Sequence, residues 1–332
     1  MKNIFSSKTI SLDEIKIPIK SELKDFDKFV NLSVKSEIPF VNLVTRFILR
    51  QKGKQLRPIL VFLTAKMCKN ISPASYRGAA LVEILHTATL IHDDVVDEAE
   101  MRRGFPSINS HWKNKIAVLM GDYLLSTGLL LALKSDDFEI LKITSSAVRK
   151  MSEGEILQIN KSRKLDIDEK TYFKIISGKT ASLISTCTEI GGVSVNCSKK
   201  EREALINFGE NLGLAFQIRD DVLDYTSRTS ILGKPIAGDL KEKKITLPLI
   251  HALERADKKE RKEIINLIAH GASDKDVMQI YMFIEKYKGI AYAEAKAKEL
   301  IELAKKSLII FKNSPAKTSL LNLSDFILSR TK

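Results

Sequence analysis

Helical periodicity runs through almost the whole of this 332-residue chain, with few residues that would interrupt it. Apolar side chains recur every three to four residues, and no stretch shows the sustained apolar–polar alternation of a half-buried strand. Only 23 residues are Gly or Pro, about 7% of the chain against a usual value near 12%. So few chain-breaking residues disfavour a many-turned β-sandwich or barrel. The sequence therefore predicts an all-α fold.

Turn signals such as Lys52-Gly53, Gly191-Gly192 and the stretch from Gly233 to Gly238 divide this periodicity into about a dozen helices. No linker rich in Pro, Gly or Ser and no repeat of fixed period interrupts the chain. We therefore expect an N-terminal arm at residues 1–30, with one amphipathic segment, and a single large helical domain at residues 31–332. The predicted helices cover residues 39–51, 57–69, 74–98, 116–134, 137–160, 169–192, 201–225, 245–254, 260–269, 275–287, 290–311 and 318–330.

Composition excludes several classes of protein. An apolar fraction of 44% with 29% charged residues excludes wholesale disorder. The three cysteines, Cys68, Cys187 and Cys197, form no CxxC pair and are too few for a disulfide framework, so we expect reduced thiols and a cytoplasmic location. Residues 1–10 lack the apolar core of a signal peptide, although their basic, serine-containing character leaves an organellar transit peptide open.

The segment from Ile116 to Leu133 is close to membrane-spanning length. It carries Asp122 in its middle, and an ionisable group at that depth is costly in lipid. We expect a fully buried helix in a soluble core rather than a membrane span.

A net charge of +13 suits an anionic partner, such as nucleic acid, a membrane surface or a phosphorylated substrate, but also a surface covered with Lys. The local arrangement of charges decides between them. Two acidic DDxxD motifs, at residues 93–97 and 220–224, close two long apolar helical segments. Residues i and i+4 share a helix face, so each motif projects its carboxylates together. These carboxylates repel one another and require a cation.

Oxygen-only ligands suit Mg²⁺, which takes one or two carboxylates and completes its shell with substrate phosphates. A single DDxxD could be a solvated acidic helix end. Two of them, beginning 127 residues apart and each following an apolar run, favour a metal–diphosphate site.

Basic residues accompany the acidic motifs. Lys54 and Arg57 lie in a Gly-containing turn before a Pro at an early helical position, which suits an oxyanion. Arg102 and Arg103 lie in a turn closed by Gly104, just after the first motif. Each cation alone would be an ordinary surface residue; together with two acidic clusters they suggest clamps for two diphosphates.

Other motifs are excluded or weaker. Gly178-Lys179-Thr180 is not a phosphate-binding P-loop, because Phe173 stands where the first Gly is required and no strand precedes it. Lys179 remains a candidate diphosphate contact. The five histidines do not have zinc-ligand spacing, and neither HExxH nor GxSxG occurs. His86 lies about two turns before Asp93 and is placed to line the same cavity.

With these motifs in hand, the chain resembles the trans-polyprenyl diphosphate synthases over roughly residues 40 to 330, and within them the long-chain branch typified by octaprenyl and solanesyl diphosphate synthases. The resemblance rests on motifs in the family's order: GKQLRP, VEILHTATLIHDDVVDEAEMRRG, VLMGDYLLS, EGEILQ, SGKTASL, AFQIRDDVLDY, LGKPIAGDL and KKITLPL. It implies helices around a central cavity, and a likeness to the isoprenoid synthases in fold. It also implies a homodimer without nucleic acid, with peripheral membrane association for product delivery left open.

The resemblance also implies roles for individual residues. Mg²⁺, three ions per active site with substrate bound, and the allylic diphosphate would be held by the first motif, mainly through Asp93 and Asp97 with Asp94 beside them. The second motif, Asp220, Asp221 and Asp224, would hold a further ion from the opposite wall. The isopentenyl diphosphate site would comprise Lys54, Arg57, His86 and Arg103. Contacts around the allylic diphosphate would come from Arg102, Lys179, Thr180, Gln217, Lys234 and Lys244.

This chain departs from the family at a few positions. Ala237-Gly238-Asp239-Leu240 stands for Gly-Asp-Asp-Leu, Lys243-Lys244 stands for Gly-Lys, and Arg219 replaces a more usual apolar residue. Because Lys234, Asp239 and Lys244 remain, we expect a modified loop rather than an inactive enzyme.

The expected chemistry is head-to-tail condensation, in which the allylic diphosphate ionises and the double bond of isopentenyl diphosphate attacks the resulting cation. Neutralisation of the leaving diphosphate drives ionisation. The tail would run beside the helix that ends at Asp93, and residues about one turn earlier, at ~5.4 Å per turn, would form its first floor. Ala88 and Thr89 there are small, so we expect a product above C20, in the range C35–C50, serving as the side-chain precursor of a respiratory quinone.

Four alternatives remain at this point. A shorter-chain synthase making geranylgeranyl or farnesyl diphosphate would share every motif. A terpene cyclase would use the same ionisation, but the paired DDxxD and the GKQLRP turn favour two substrates. A basic helical nucleic-acid-binding protein fits the charge, yet shows no recognition module. A non-catalytic partner subunit is disfavoured by two intact acidic motifs.

Overall fold

The computed structural model of the chain describes residues 10–51, 53–102, 104–226 and 238–330. Arg103, Lys234 and Ala237, the turn residues Lys52 and Gly233, and residues 1–9 of the expected arm lie outside the described residues. Apart from one short hairpin, the regular structure of the described residues is helical, which confirms the predicted all-α class.

The helices follow one another with short connections. Their bounds are α1 Leu12–Lys16, α2 Lys20–Ser33, α3 Pro39–Arg50, α4 Leu56–Cys68, α5 Pro73–Val96, α6 Ile108–Leu133, α7 Phe138–Lys164, α8 Glu169–Ile176, α9 Ser182–Val193, α10 Lys199–Thr226, α11 Gly238–Lys241, α12 Leu247–Arg255, α13 Lys258–Ala269, α14 Asp274–Lys286, α15 Gly289–Ser307 and α16 Pro315–Ser329. Short 3₁₀ turns cover Ile17–Ile19 and Leu308–Ile310, and a π-helical turn covers Ser177–Ala181. The hairpin pairs β1 Met101–Arg102 with β2 Phe105–Pro106 in antiparallel register, and Gly104 in its turn has φ +80°.

Two long helices, α5 and α10, position the acidic motifs. Helix α5 begins at a capping box formed by Ser72 and Ser75, with Pro73 at its first position, where a missing N–H costs nothing. It packs along α6, while α10 packs against α9 and α15. The helices bury two apolar clusters that meet at Leu300 and Leu328. Both acidic motifs thus end helices anchored in the interior.

The N-terminal segment contains more helix than the sequence indicated. We expected an arm with one amphipathic segment at residues 1–30, and two helices, α1 and α2, begin there. Ile15, Ile19, Phe26 and Val30 are buried in the larger apolar cluster. These apolar residues lie on one face of the helices, but many charged residues stand between them in the sequence, so the helical pattern was not recognised. The described residues 10–30 therefore pack against the main core.

Helix α6 is less buried than expected. Its length and apolar composition would allow it to cross a membrane, and only 33% of the residues in its most apolar stretch are buried. The expectation of a fully buried helix was wrong, because one face packs on α5 while the other stays open. Exposed apolar residues on α6 are Val118, Leu119, Leu130 and Leu133. The backbone of Lys113, at φ 68°, breaks the helix shortly before the predicted start at residue 116.

Candidate active site

The two acidic motifs face a common cavity. Asp93 and Asp97 at the end of α5, and Asp220 near the end of α10, line a cavity of about 880 Å³. Neighbouring clefts continue it: one brings Asp97 and Glu155 to Lys244, and another brings Asp221 and Asp239 to Lys179. The site is thus one branched cleft between the ends of two long helices.

Helix geometry makes this cleft electrostatically unfavourable on its own. Carboxylates in the last turns of α5 and α10 lie at the negative end of the helix dipole, where cations are the favoured charge. Burial, with Glu155 nearby, raises the pKa of Asp93 above its usual value. The cleft therefore favours positive charge, as the sequence predicted.

The first motif divides its carboxylates between two environments. Asp93 and Asp97 line the cavity, whereas Asp94 is buried behind it. The Arg102 Nε donates to Asp94 Oδ1 at 2.6 Å, and burial still raises the pKa of Asp94. Asn109 Nδ2, in the first turn of α6, donates to the Asp94 carbonyl and so ties the start of α6 to the end of α5. Asp94 and Arg102 thus hold the motif in place from behind, rather than lining the main cavity as expected for a diphosphate contact.

The second motif has a more deeply buried centre. Asp221 is only 4% exposed and accepts hydrogen bonds from Tyr172 Oη at 2.6 Å and Gln217 Nε2 at 2.7 Å. Burial raises the pKa of Asp221 to about 8, and the Asp239 carboxylate adds to the rise. Burial and the neighbouring Asp224 likewise raise the pKa of Asp239 to about 6. On this side of the cleft, burial and the neighbouring carboxylates thus oppose ionisation of both groups.

The outer carboxylates of the second motif have local partners. Asp220 forms an ion pair with Arg330, whose guanidinium also lies over the Phe216 ring, 4.2 Å from its centroid. Asp224 accepts a hydrogen bond from the backbone N–H of Asp239 at 3.2 Å. Arg219, for which the sequence offered no role, donates to the Arg330 carbonyl at 3.1 Å and so fixes the C-terminal end beside the cavity.

Predicted basic and polar residues meet the acidic motifs in this cavity. Those lining it are Lys54, Arg57, His86, Lys179, Thr180 and Gln217. Lys179 Nζ lies 2.5 Å from Glu155 Oε2 and 3.3 Å from Gln158 Oε1, so a carboxylate holds the ammonium near Asp93. Thr180 Oγ1 donates to Gln217 Oε1 at 2.7 Å.

A π-helical turn brings Lys179 and Thr180 to the cavity. It interrupts the single helix predicted over residues 169–192. A Cβ on Gly154 would lie 2.9 Å from the backbone nitrogen of Lys179, and one on Gly178 would lie 2.9 Å from the carbonyl oxygen of Lys150. These two glycines let the turn pack directly against α7, and that close approach aims the turn's side chains inward.

The two residues expected to limit product length occupy different places. Thr89 lines the cavity, but Ala88 is 2% exposed and belongs to the apolar core. The cavity wall beside Thr89 continues with Met151, Leu183 and Ile184 from α7 and α9. Only Thr89 of the pair is therefore a wall residue of this cavity.

Sequence reasoning missed several residues of the site. Glu155 lies inside the EGEILQ motif quoted above. The signal that could have revealed it is a carboxylate on the helix that precedes Lys179, which has no acidic partner in its own SGKTASL motif. Tyr172 and Phe216 looked like ordinary core residues. Arg330 lies near the end of the chain, far from any motif, and no sequence signal links it to Asp220.

Comparisons with known proteins agree with this geometry. Residues 39–284 match the model of the polyprenyl synthetase family. A Rhodobacter capsulatus protein described as an all-trans-nonaprenyl-diphosphate synthase (geranyl-diphosphate specific) is 38% identical, covering 96% of this chain and 97% of its own. A short chain isoprenyl diphosphate synthase of Methanothermobacter thermautotrophicus is 37% identical, covering 84% and 86%.

A solved structure shows the same architecture. The crystal structure of a decaprenyl diphosphate synthase from Rhodobacter capsulatus superposes with a TM-score of 0.92 at 33% identity, covering 97% of this chain and 100% of that one. Both the family model and these relatives extend across the two acidic helix ends and the cavity between them. The chain belongs to the polyprenyl synthetase family and is a prenyltransferase.

Proposed function

We propose that this chain is a Mg²⁺-dependent long-chain trans-polyprenyl diphosphate synthase, which joins isopentenyl diphosphate head-to-tail to an allylic diphosphate. The observation that supports it most is the meeting of both acidic motifs with Lys54, Arg57 and Lys179 around one cavity. Cations at two places on the wall of one cavity would allow two diphosphates to be held at once.

The residues present fit Mg²⁺. No group of three or more acidic, His or Cys side chains is already gathered as a metal site among residues 10–51, 53–102, 104–226 and 238–330. Mg²⁺ needs no such group, because it usually takes one or two carboxylates and completes its shell with phosphate and water. Asp93 and Asp97 would hold ions on one wall, and Asp220, Asp221 and Asp224 on the other, three ions in all. Bound Mg²⁺ would neutralise the charge that develops on the departing diphosphate.

The chain's own cations would complete the diphosphate sites. Lys179, which pairs with Glu155 and lies near Asp93, would bind the allylic diphosphate. Lys54, Arg57 and His86 lie on the adjoining wall and would position isopentenyl diphosphate so that its double bond meets the allylic carbon. A positioned partner lowers the barrier by fixing distance and orientation in advance.

The apolar part of the cavity would protect the reaction from water. Leu60, Leu90, Leu183 and Ile184 line it next to the charged groups. An allylic cation formed there would react with the double bond of isopentenyl diphosphate rather than with water. No side chain is assigned as the base that removes the final proton, and the released diphosphate is our candidate.

We propose a product above C20, in the range C35–C50, that supplies the side chain of a respiratory quinone. Small Thr89 leaves the wall open one turn before Asp93. Thr89→Phe should shorten the product, whereas Thr89→Ser should preserve its length. If Thr89→Phe leaves the product distribution unchanged, the tail takes another path.

A mass-spectrometric product assay tests the function. The purified chain would be incubated with Mg²⁺, isopentenyl diphosphate and either farnesyl or geranylgeranyl diphosphate, with an excess of chelator as the matched control. We expect polyprenyl diphosphates in the presence of Mg²⁺ and none in the chelator. Products that stop at C15 or C20 would assign the chain to the shorter-chain synthases, hydrocarbons would indicate a cyclase, and full turnover in chelator would contradict the proposal.

We also propose that the enzyme is a cytoplasmic homodimer in which a second copy covers the exposed apolar face of α6, and that peripheral membrane contact assists product delivery. Four large apolar side chains on one helix are too many for an open surface of this kind. Leu119→Glu should convert a dimer to a monomer in sedimentation experiments, whereas the charge change Lys262→Glu at an exposed position of α13 should not. A wild-type chain that sediments as a monomer would contradict the homodimer.

A further inference from the structure

Two of the three cysteines lie together at the end of the molecule where α4 stops. Cys68 is the last residue of α4, and Cys197 lies in the connection between α9 and α10. Their side chains share a hydrogen bond, and both residues are partly exposed. Neither residue has a part in the cavity described above.

The surrounding backbone holds these two cysteines in place. Lys69 Nζ, next to Cys68, donates to the carbonyl of Asn196, next to Cys197, at 2.7 Å. Ser72 Oγ donates to the Ser194 carbonyl at 2.8 Å and so joins the same two connections a second time. The backbone N–H of Cys197 donates to the Gly192 carbonyl. The pair is therefore a built feature of two adjacent turns and not a chance meeting of mobile side chains.

Close helix packing supports the same geometry. A Cβ on Gly191 would lie 1.9 Å from Thr64 Oγ1 and 2.5 Å from the Val61 carbonyl, so α9 lies directly on α4. A Cβ on Gly192 would lie 2.8 Å from Cys197 Sγ, so the glycine makes room for that thiol. Both helices are thus fixed to each other within two turns of the cysteines.

We propose that Cys68 and Cys197 are a reversible thiol-oxidation site, which peroxide converts to an intramolecular disulfide that fastens α4 to the α9–α10 connection. This site is independent of the prenyl-transfer function. It narrows our expectation that the three thiols are reduced, because Cys68 and Cys197 would then be reduced only until peroxide oxidises them.

The charges around the pair favour Cys197 as the first thiol to react. A hydrogen bond from Cys68 lowers the pKa of Cys197, and Arg202 acts in the same direction. The same hydrogen bond raises the pKa of Cys68, as does its burial. Glu201 opposes ionisation of both thiols, and Lys69 favours that of Cys68. A thiolate is the nucleophile in such chemistry, so Cys197 reacts first.

The reaction balances with hydrogen peroxide as the oxidant. The Cys197 thiolate attacks one peroxide oxygen, the O–O bond breaks, and hydroxide leaves to give a sulfenic acid. The Cys68 sulfur then attacks the Cys197 sulfur, the S–O bond breaks, and the departing hydroxide leaves as water with the Cys68 proton. Two thiols are oxidised to one disulfide while one peroxide is reduced to two waters.

The bond would stabilise the fold rather than alter the chemistry. It would close a loop of about 130 residues, which removes much freedom from the unfolded chain. Cys68 lies eleven residues after Arg57 on α4, about 16 Å along the helix axis, so the diphosphate sites remain undisturbed. We expect the melting temperature of the oxidised chain to rise by about 5 °C or more.

The test compares the full-length chain with Cys68→Ser, a matched control that leaves Cys197 free. Both would be treated with hydrogen peroxide, alkylated without reduction, digested and analysed by mass spectrometry, with melting curves recorded in parallel. We expect a cross-linked peptide joining residues 68 and 197 in the wild type only. The rise in melting temperature should appear with it and disappear with dithiothreitol.

Cys187 provides an internal reference. It is fully buried, burial raises its pKa to about 12, and it should stay unmodified until the chain unfolds. Three results would overturn the proposal: disulfide-linked dimers, over-oxidation of Cys197 while Cys68 still accepts the alkylating reagent, or a cross-link that forms only in denaturant. A cross-link without a rise in melting temperature would refute the stabilising role.

Discussion

The two acidic motifs, DDVVD at the end of α5 and DDVLD at the end of α10, are nearly identical in sequence but differ in their surroundings. At the first, the middle carboxylate, Asp94, is paired with Arg102 at 2.6 Å. At the second, the middle carboxylate, Asp221, accepts from two neutral donors of the described chain, Tyr172 and Gln217. The first position of each motif, Asp93 or Asp220, lines the shared cavity in both cases.

This difference shows that one sequence pattern can place its carboxylates in two kinds of environment. The first position lines the main cavity in both motifs, whereas the middle carboxylate is buried, Asp94 behind the cavity and Asp221 at the adjoining cleft. Among the described residues, Asp94 is paired with a cation from elsewhere in the chain, Arg102, and Asp221 accepts its hydrogen bonds from neutral donors. The second motif should therefore depend more strongly on an added cation than the first.

The largest expected effect concerns the first position. Asp93→Asn should lower kcat by about 10³-fold, because it removes a charge aimed at the reacting diphosphate. Asp94→Asn should lower kcat far less, since Asp94 lies behind the cavity. Steady-state kinetics at saturating Mg²⁺ measure both. Equal losses in the two variants would show that the motif acts as a single unit and that our division is wrong.

The next effect separates the two middle positions by stability. Asp94→Asn breaks a buried ion pair with Arg102 and should cost about 2 kcal/mol. Asp221→Asn imitates the protonated acid that a pKa of about 8 favours at neutral pH and removes the cost of taking up that proton on folding, so it should raise the unfolding free energy at neutral pH rather than lower it. Denaturant unfolding without divalent ions compares them. A larger loss in Asp221→Asn than in Asp94→Asn would reverse the comparison.

A third effect is the pH dependence of the second motif. With a folded pKa of about 8 and an ordinary unfolded value near 3.9, Asp221 holds a proton in the folded chain that the unfolded chain has released. Stability without divalent ions should therefore fall as pH rises from about 4 to 8, by at most about 1.4 kcal/mol per pH unit for each such proton. Asp239, with a pKa of about 6, should contribute only in the lower part of this range.

Melting curves in chelator, recorded across this range, measure that slope. Asp221→Asn should flatten it between pH 6 and 8, where Asp239 no longer contributes. An unchanged slope in that variant would assign the titration to another group.

The smallest effect concerns the C-terminal cation. Arg330 pairs with Asp220, whose side chain is 55% exposed, and such pairs contribute little. Arg330→Ala should lower the unfolding free energy by less than about 1 kcal/mol, and Arg330→Lys should restore part of it. A loss above 2 kcal/mol would mean that the contact over the Phe216 ring, and not the ion pair, fixes the end of α16.

Much of this fold was predictable because its helices are long and one-sided. The bounds expected for the helices ending near Asp97 and Tyr225 agree with α5 and α10 to within two residues. The prediction failed where charge concealed the apolar stripe, as in α2, or where a helix leaves a face open, as in α6. A single sequence records which residues are apolar but not which surface a second copy would cover.

The candidate site was predicted less completely. Residues in compact motifs, such as Asp93, Lys179 and Gln217, do come together in the cavity. Arg330 and Tyr172 reach their carboxylates across 110 and 49 residues of sequence, so only the packing of distant helices reveals those contacts. Arg102 was predicted to contact the allylic diphosphate, and the sequence did not reveal that its guanidinium also donates to the buried Asp94.

The π-helical turn at Ser177–Ala181 has a consequence for how this enzyme could change over evolutionary time. A π-turn holds one residue more than the α-turn it replaces, and each residue advances a helix by about 100°. Deleting any one residue there would restore a regular helix but rotate α8 relative to α9 by that angle. Tyr172 and Ile184 could then no longer face their present neighbours at the same time. The extra residue therefore couples α8 to α9, so that a change in the orientation of one helix requires a matching change in the other.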